Sequence, residues 1–364
     1  MLSRRTFLAG VSTAALSGLG SMAAMARGDR PAFRLPEESA RHERTFMQWP
    51  VNRAVHPYQA FLDPLQQSIA DVANTIAEFE PVVMLMDEPH APAARRKLSA
   101  TVEVWDIPTD DLWCRDSGPV FVVTEAGDLA LTHLNFNGWG NKQVHGNDGQ
   151  VARRVAERLG LPLFDNGLVG EAGGVESDGD GTLIAHESSW VNPNRNRGTR
   201  AEVEGLLQQA LGAEKTIWAP GVRGADITDY HIDSLARFTR PGHVIIQMPE
   251  KPDPSDPWSA AAMKTYDILA SSTDARGRKL ELTVLPEPYD IRVTTADFVA
   301  SYVNYYVCNG AVIAAQFGDR AADAEAEAAL ARLHPGREVV MLNVDPIGEV
   351  GGGIHCATQQ QPAV

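Results

Sequence analysis

The stretch GGGIHC ends in Cys356, one of three cysteines in 364 residues. It follows Gly351, Gly352 and Gly353 and sits beside His355. Glycines let a backbone approach a substrate closely, and a thiolate is a strong nucleophile. Three other polar clusters accompany it. DLWCRDSGP holds Trp113, Arg115 and Asp116; EAGGVESDGDG begins with Glu171; ITDYHID holds His231 and Asp233. A thiol, an imidazole beside a carboxylate and two further acids suit attack on the central carbon of a guanidinium. That carbon is a poor electrophile while its charge is delocalised and solvated. Two carboxylates can hold the flat cation as bidentate partners, each charge-assisted bond contributing about 1.5–3 kcal/mol. The bound cation favours the thiolate. An imidazole can protonate departing ammonia and then deprotonate water, and an acid beside it raises its proton affinity.

Each residue also has a plainer reading. A lone cysteine is often a small buried hydrophobe. An HxD pair on a strand puts both side chains on one face and forms a local salt bridge. WxRDxGP can be a turn held by an Arg–Asp pair, and GEAGG and DGDG can be hairpin turns. Asp178 and Asp180 lack the glutamate of a calcium loop and read as a turn. His133 and His145 show no metal-ligand spacing, and no serine-nucleophile elbow or Walker loop occurs. The reading therefore assigns neither metal nor cofactor.

The elements that must position these residues alternate. Apolar spacing predicts a helix over 58–80, with Phe61, Leu65, Ile69, Val72, Ile76 and Phe79 on one side, before the run PVVMLM. Shorter helix-like segments follow at 91–98, 150–159, 199–211, 259–271 and 321–333. Each precedes a short run rich in Val, Ile or Leu, at 102, 161, 216, 280 and 338. This alternation predicts an α/β protein. No Gly-rich phosphate loop follows the first strand, which argues against a simple dinucleotide fold. A recurrence of about 55–65 residues hints instead at a repeat around an axis. The polar clusters follow four of the runs at offsets of roughly 10–17 positions, and equal offsets in a repeat bring equivalent residues to one rim.

The formal net charge of −15 argues against nucleic acid or an anionic membrane as partner. The first residues, MLSRRTFLAG, place Arg4 and Arg5 before an uncharged stretch from Thr6 to Ala26 with a small-x-small end at Ala24-Met25-Ala26. This predicts a twin-arginine-type signal over 1–26, hence export to the periplasm without a stable membrane anchor. One domain is predicted over 30–364. Three cysteines is an odd number, which suits free thiols better than a disulfide framework.

At these motifs the chain resembles the agmatine deiminase family, grouped with bacterial peptidyl-arginine deiminases. RLPEESARHERTFMQWP, DLWCRDSGP, FNGWGNK, NPNRNRG, TDYHIDSLARF, SYVNYYVCNGAVI and GGGIHCATQQQP occur in the family's order along nearly the whole mature chain. The resemblance implies a five-bladed α/β-propeller (pentein) of ββαβ modules around a central active site. It also implies a hydrolase that needs no cofactor, takes a small cationic guanidino substrate and leaves room for an oligomer. By motif, Cys356 matches the nucleophile that forms a covalent amidino-thioether, His231 the general acid/base and Glu171 the acid that supports it. Asp116 and Asp233 match the guanidinium clamp, and Trp113 an aromatic lining the slot.

The chain departs from that pattern at Glu176, where the family commonly has histidine, at Tyr230, where glycine is common, and at Ser39, where an aromatic is frequent. Tyr230 is expected to narrow the site or touch the substrate's tail. The leading expectation is hydrolysis of agmatine to N-carbamoylputrescine with release of ammonia. Peptidyl-arginine deimination shares the chemistry, an amidinotransferase shares the thioether, and a periplasmic binding protein would keep the cationic pocket without turnover.

Overall fold

The computed structural model describes residues 33–364; the predicted signal lies outside them. Five separate sheets carry this part of the chain. Four of them share one chain path: two antiparallel strands, a helix, and a strand parallel to the second. Val120–Thr124 pairs with Leu129–His133, helix Val151–Leu159 follows, and Leu163–Asp165 returns parallel. The path recurs with Val175–Ser177, Thr182–His186, helix Arg200–Leu211 and Lys215–Ala219. It recurs with Ala236–Arg240, His243–Met248, helix Pro257–Ser271 and Glu281–Pro286. It recurs once more with Tyr306–Cys308, Ala311–Ala315, helix Arg320–Leu333 and Glu338–Leu342. The fifth sheet joins the two ends of the described chain. Thr358–Pro362 lies antiparallel to His42–Gln48, helix Gln59–Ile76 leads to the parallel strand Val82–Met86, and Glu103–Asp106 adds a fourth strand.

The expected helices and parallel strands therefore stand where periodicity puts them, within a few residues. The exception is 91–98, where only Ala91–Ala94 is α-helical. The antiparallel strands have no such signature, because several are short and buried along their length. Thr182–His186 and Ala311–Ala315 show no exposed position, so neither alternates as a half-exposed strand would. Helix Gln59–Ile76 buries Leu65, Ile69, Val72 and Ile76 against a core shared with Ile313, Tyr302 and Leu330. Thr199 closes a capping box with Glu202 at the start of Arg200–Leu211. No helix among the described residues is long and apolar enough to cross a membrane.

A buried polar network ties the sheet holding His42–Gln48 to the one holding Tyr306–Cys308. Glu80 Oε1 accepts from His42 Nδ1 at 3.0 Å and from the Thr45 hydroxyl, while Oε2 accepts from the Asn309 amide at 2.6 Å. Thr45 in turn meets the Tyr306 hydroxyl at 2.8 Å. Removing one partner of such a network strands the others in a dry interior. Glu80→Ala is expected to cost about 3–5 kcal/mol, read as a lower urea midpoint with an unchanged denaturant slope.

Candidate active site

The polar residues enter at one recurring place in the chain path, between a parallel strand and the next antiparallel pair. Asp116 lies between Glu103–Asp106 and Val120–Thr124, and Glu171 between Leu163–Asp165 and Val175–Ser177. His231 and Asp233 lie between Lys215–Ala219 and Ala236–Arg240, and Cys356 between Glu338–Leu342 and Thr358–Pro362. The fourth such segment, between Glu281–Pro286 and Tyr306–Cys308, contributes Asn304.

Local structure fixes each loop. Asp148 accepts from the amides of Asp110 and Asp111, at 2.7 and 3.1 Å, and so shapes the approach to Trp113. Cys114–Ser117 is then a single helical turn. Its Arg115 amide donates to the Cys356 carbonyl at 3.0 Å, which ties the Asp116 turn to the thiol. Trp113 is buried, packs in one apolar cluster with Cys356, and faces Gly352 so closely that a β-carbon there would strike its ring. Gly353 is similarly pressed against the Asn304 side chain. His231 precedes the 3-10 turn Ile232–Ser234 and is not on a strand. The two side chains of HxD accordingly make different contacts, which corrects the expectation of a simple pair on one face.

Three of these side chains converge on one point. A β-carbon built on Gly173 would lie 2.7 Å from Asp116 Oδ1, 2.8 Å from His231 Nδ1 and 3.1 Å from Asp233 Oδ2. His231 Nε2 donates to Glu171 Oε2 at 3.2 Å, and its Nδ1 is 3.6 Å from Asp116 Oδ1. Asp116 accepts from Trp139 Nε1 at 2.8 Å and from the Gly173 amide at 3.2 Å. Cys356 Sγ lies 3.6 Å from Asp233 Oδ2 and accepts from Asn304 Nδ2 at 3.2 Å. Asp233 Oδ2 also accepts from His355 Nδ1 at 2.7 Å. Its Oδ1 is buried and meets no donor among the described residues. Thus Cys356, His231, Glu171, Asp116 and Asp233 are joined in one cluster, with Trp113 at its apolar side.

The electrostatics follow from burial and from these neighbours. Burial alone pulls His231 down, but Asp116, Glu171 and Asp233 outweigh it and lift the imidazole to about 9. Burial pushes Asp116 up to about 6, opposed by His231 and reinforced by Glu171 and Asp233. For Glu171, burial is outweighed by His231 and Arg195, which hold its carboxyl below the usual range. Asp233 is likewise lowered against burial, by His355, His231 and Arg237. Loss of solvation and the charges of Asp233 and Asp116 push the Cys356 thiol well above its ordinary value. The resting pair is therefore a neutral thiol and an imidazolium, and a cation placed between the acids would lower the thiol's proton affinity.

Four further residues of this cluster carry no signal of their own in the spacing. Asn304, Trp139, Arg195 and His355 all lie within motifs that look unusual but do not reveal their contacts. Arg195 donates to Glu171 Oε1 at 2.9 Å and to Asp229 Oδ2 at 2.6 Å, all three being buried. Asn304 lies 24 positions past the start of the run at 280, farther than Asp116 or Cys356 lies past its own run, so the offset does not reach it.

A sequence model of Porphyromonas-type peptidyl-arginine deiminases matches residues 34–362. The chain belongs to that family. It is similar to an agmatine deiminase of Pseudomonas aeruginosa, 36% identical over 358 residues covering 91% of this chain and 96% of that one. Its fold matches an agmatine deiminase of Enterococcus faecalis at TM-score 0.84 and 27% identity, covering 91% of this chain and 96% of the other. A C. jejuni agmatine deiminase with substrate bound matches in fold at TM-score 0.81 and 22% identity, covering 91% of this chain and 96% of that one.

Within this deiminase family the three unusual positions resolve differently. Tyr230 does not reach the cluster's centre, contrary to the expectation above. Its ring packs 4.6 Å from both His186 and Trp258, in an apolar cluster with Ile217 and Ile232. Glu176 is buried and accepts from Arg237 Nε at 3.0 Å. Ser39 donates to Glu37 at 3.0 Å. Gly173 is the position where sterics matter most. Its φ lies outside the left-handed region, so alanine fits the backbone but not the space. Gly173→Ala is expected to lower kcat/KM at least about a hundredfold by displacing the clamp, with little change in melting temperature. Wild-type kinetics for that variant would remove the convergence point from the site.

Proposed function

We propose that this chain hydrolyses a guanidino group, releasing ammonia and leaving a ureido product, with agmatine to N-carbamoylputrescine as the leading case. The reading rests on one observation: Asp116, His231 and Asp233 converge beside a thiol, and Asp233 keeps a buried oxygen without a donor. A guanidinium supplies N–H groups in a planar fork that such carboxylates accept.

The cation enters between Asp116 and Asp233, and Trp113 packs along the apolar side of the slot. Its charge lowers the proton affinity of Cys356, the thiol's proton passes to solvent because His231 is already protonated, and the thiolate attacks the guanidinium carbon. Imidazolium at His231, oriented by Glu171, gives its proton to the departing nitrogen. The C–N bond breaks, ammonia leaves, and an amidino-thioether remains on Cys356. Neutral His231 then takes a proton from water, which attacks the same carbon. The C–S bond breaks and the thiol and ureido product are restored.

The five sheets, each with a ββαβ path, support an arrangement as the blades of a five-bladed α/β-propeller with one site segment per blade. The leader around Arg4 and Arg5 supports export of the folded enzyme to the periplasm. The family description favours arginine peptides as the second substrate class, and the two classes separate in one assay. Ammonia release should be measured with agmatine, free arginine and N-blocked arginine peptides, using wild type and Cys356→Ala. Turnover of one class, abolished by Cys356→Ala, is the expected outcome; no release from any guanidine sinks the reading. The profile of kcat/KM against pH is expected to rise as Asp116 ionises near 6 and to fall as His231 loses its proton near 9. A profile flat from pH 5 to 10 contradicts these roles.

A further inference from the structure

His355 is adjacent to the thiol in sequence, yet the catalytic steps above do not use it. Its ring is buried and held at both ends by carboxylates. Nδ1 lies 2.7 Å from Asp233 Oδ2, and Nε2 lies 2.8 Å from Glu38 Oε2. Glu38 comes from a distant part of the chain and is itself held in place. Its Oε2 accepts from Arg115 Nη2 at 3.1 Å and Arg237 Nη2 at 2.9 Å, and its Oε1 from the Val307 amide at 2.9 Å. Its backbone carbonyl accepts from His42 Nε2 at 2.7 Å.

We propose that His355 is a positioning residue for guanidinium binding: clamped between Glu38 and Asp233, it fixes Asp233 Oδ2 at the point it shares with Asp116 and His231 and leaves Oδ1 for the cation's donors. The inference rests on the deimination reading only in taking the ligand to be a guanidinium.

Three observations support it. Asp233 has one oxygen paired to His355 and one with no donor among the described residues, so the His355 contact decides which oxygen is available. The carboxylate is wholly buried, where rotation would cost the short bond to His355. And the ring bridges two carboxylates, one at each nitrogen, and is the leading influence that holds the Asp233 carboxyl below its usual range against burial. Without that contact, the burial that now opposes ionisation would gain.

The charged groups facing this pair are known on both sides. Asp116, His231 and Cys356 lie toward the substrate. Glu38, Glu176, Arg115 and Arg237 lie beyond His355, and His186 is a more distant neighbour of Asp233. Burial would raise Glu38, but Arg237, His355 and Arg115 hold it well below the usual carboxylate range, so it remains an acceptor for the ring. Asp233 is depressed for the same kind of reason, with His355 the leading favourable partner. A depressed carboxyl stays ionised until the pH falls through its folded value. Removing the His355 charge raises that value, so binding fails at a higher pH than before.

The test uses the full chain with Cys356→Ala, which binds without turning over. Agmatine affinity is measured by titration calorimetry from pH 5 to 9, with and without His355→Asn. Asparagine can keep a donor to Asp233 but carries no charge and does not reach Glu38. The expected result is a Kd at least tenfold weaker at pH 6 that recovers toward the parent value as the pH rises. A loss that is the same at every pH, or no loss, overturns the proposal, since a purely structural role would not be pH-selective. Glu38→Gln, which keeps an acceptor for His355 but removes the outer negative charge, is expected to shift the dependence in the same direction by less. It serves as the deciding variant if His355→Asn fails to fold, and an unshifted dependence there overturns the proposal equally. Absence of agmatine binding in the Cys356→Ala parent overturns the guanidinium site itself, a failure distinct from parallel curves in parent and variant.

Discussion

A buried carboxylate oxygen without a donor costs roughly 1–3 kcal/mol or more when charged, and Asp233 Oδ1 is such an atom. Much of the surrounding structure keeps that cost from relaxing. His355 occupies the other oxygen, and the nearby thiol is only a weak donor. Asp116 is secured by Trp139 and the Gly173 amide, so it does not turn to relieve its neighbour. Natural sites keep such strain where a ligand relieves it. A guanidinium would supply the missing donors and the missing charge together.

The chain distributes this demand over distant segments. Acids as close as Asp116, Glu171 and Asp233 repel one another, and each needs a counter-charge that does not fill the slot. Glu171 has Arg195 behind it, and Asp233 has His355, itself backed by Glu38. His231 sits among the acids, within 3.6 Å of Asp116 and 3.2 Å of Glu171, where the proposed reaction needs a proton carrier. The arginines, Arg195 and Arg237, therefore lie outside the ring of acids, and the imidazole of His231 lies within it. Arginine suits the outer positions because it keeps its charge when buried, whereas catalysis needs a group that can give its proton away.

Much of this was legible in the sequence. Helical and parallel-strand segments stood out because their apolar spacing is local. The similar offsets of DLWCRDSGP, EAGGVE, ITDYHID and GGGIHC pointed to five residues that are far apart in the chain and that the structure brings together. The antiparallel strands were not legible, because a strand buried on both faces loses its alternation. Asn304 was hidden in a longer connection, 287–305, at a greater offset from its run than the other site residues, and as a neutral amide it draws less notice than the acids around it. Tyr230 misled by proximity to His231. Asp229 and Tyr230 both have positive φ, at 61° and 70°, and this turn directs the tyrosine into the apolar interior while the imidazole faces the acids. Such backbone costs about 1–2 kcal/mol per residue. Asp229 is held in it by bonds from Arg195, Lys142 and the Gly224 amide.

The same acids that attract a cation also keep the nucleophile silent. Asp233 and Asp116 raise the Cys356 thiol along with burial, so in the resting protein the sulfur is protonated and a poor target for oxidants or stray electrophiles. Burial is the first cause at Cys356, as it is at Cys114 and Cys308, which are raised too; Glu80 and Glu38 act on Cys308, whereas the acids acting on Cys356 are those gathered at the slot. The distinction matters for how one of three thiols becomes reactive. Burial cannot be undone without unfolding, whereas the negative field at Cys356 would be cancelled by the charge of the guanidinium proposed above. Binding and activation are then one electrostatic event. A ligand of the right shape without the charge would leave the thiol protonated, and selectivity for cations is built into the chemistry as well as into the clamp.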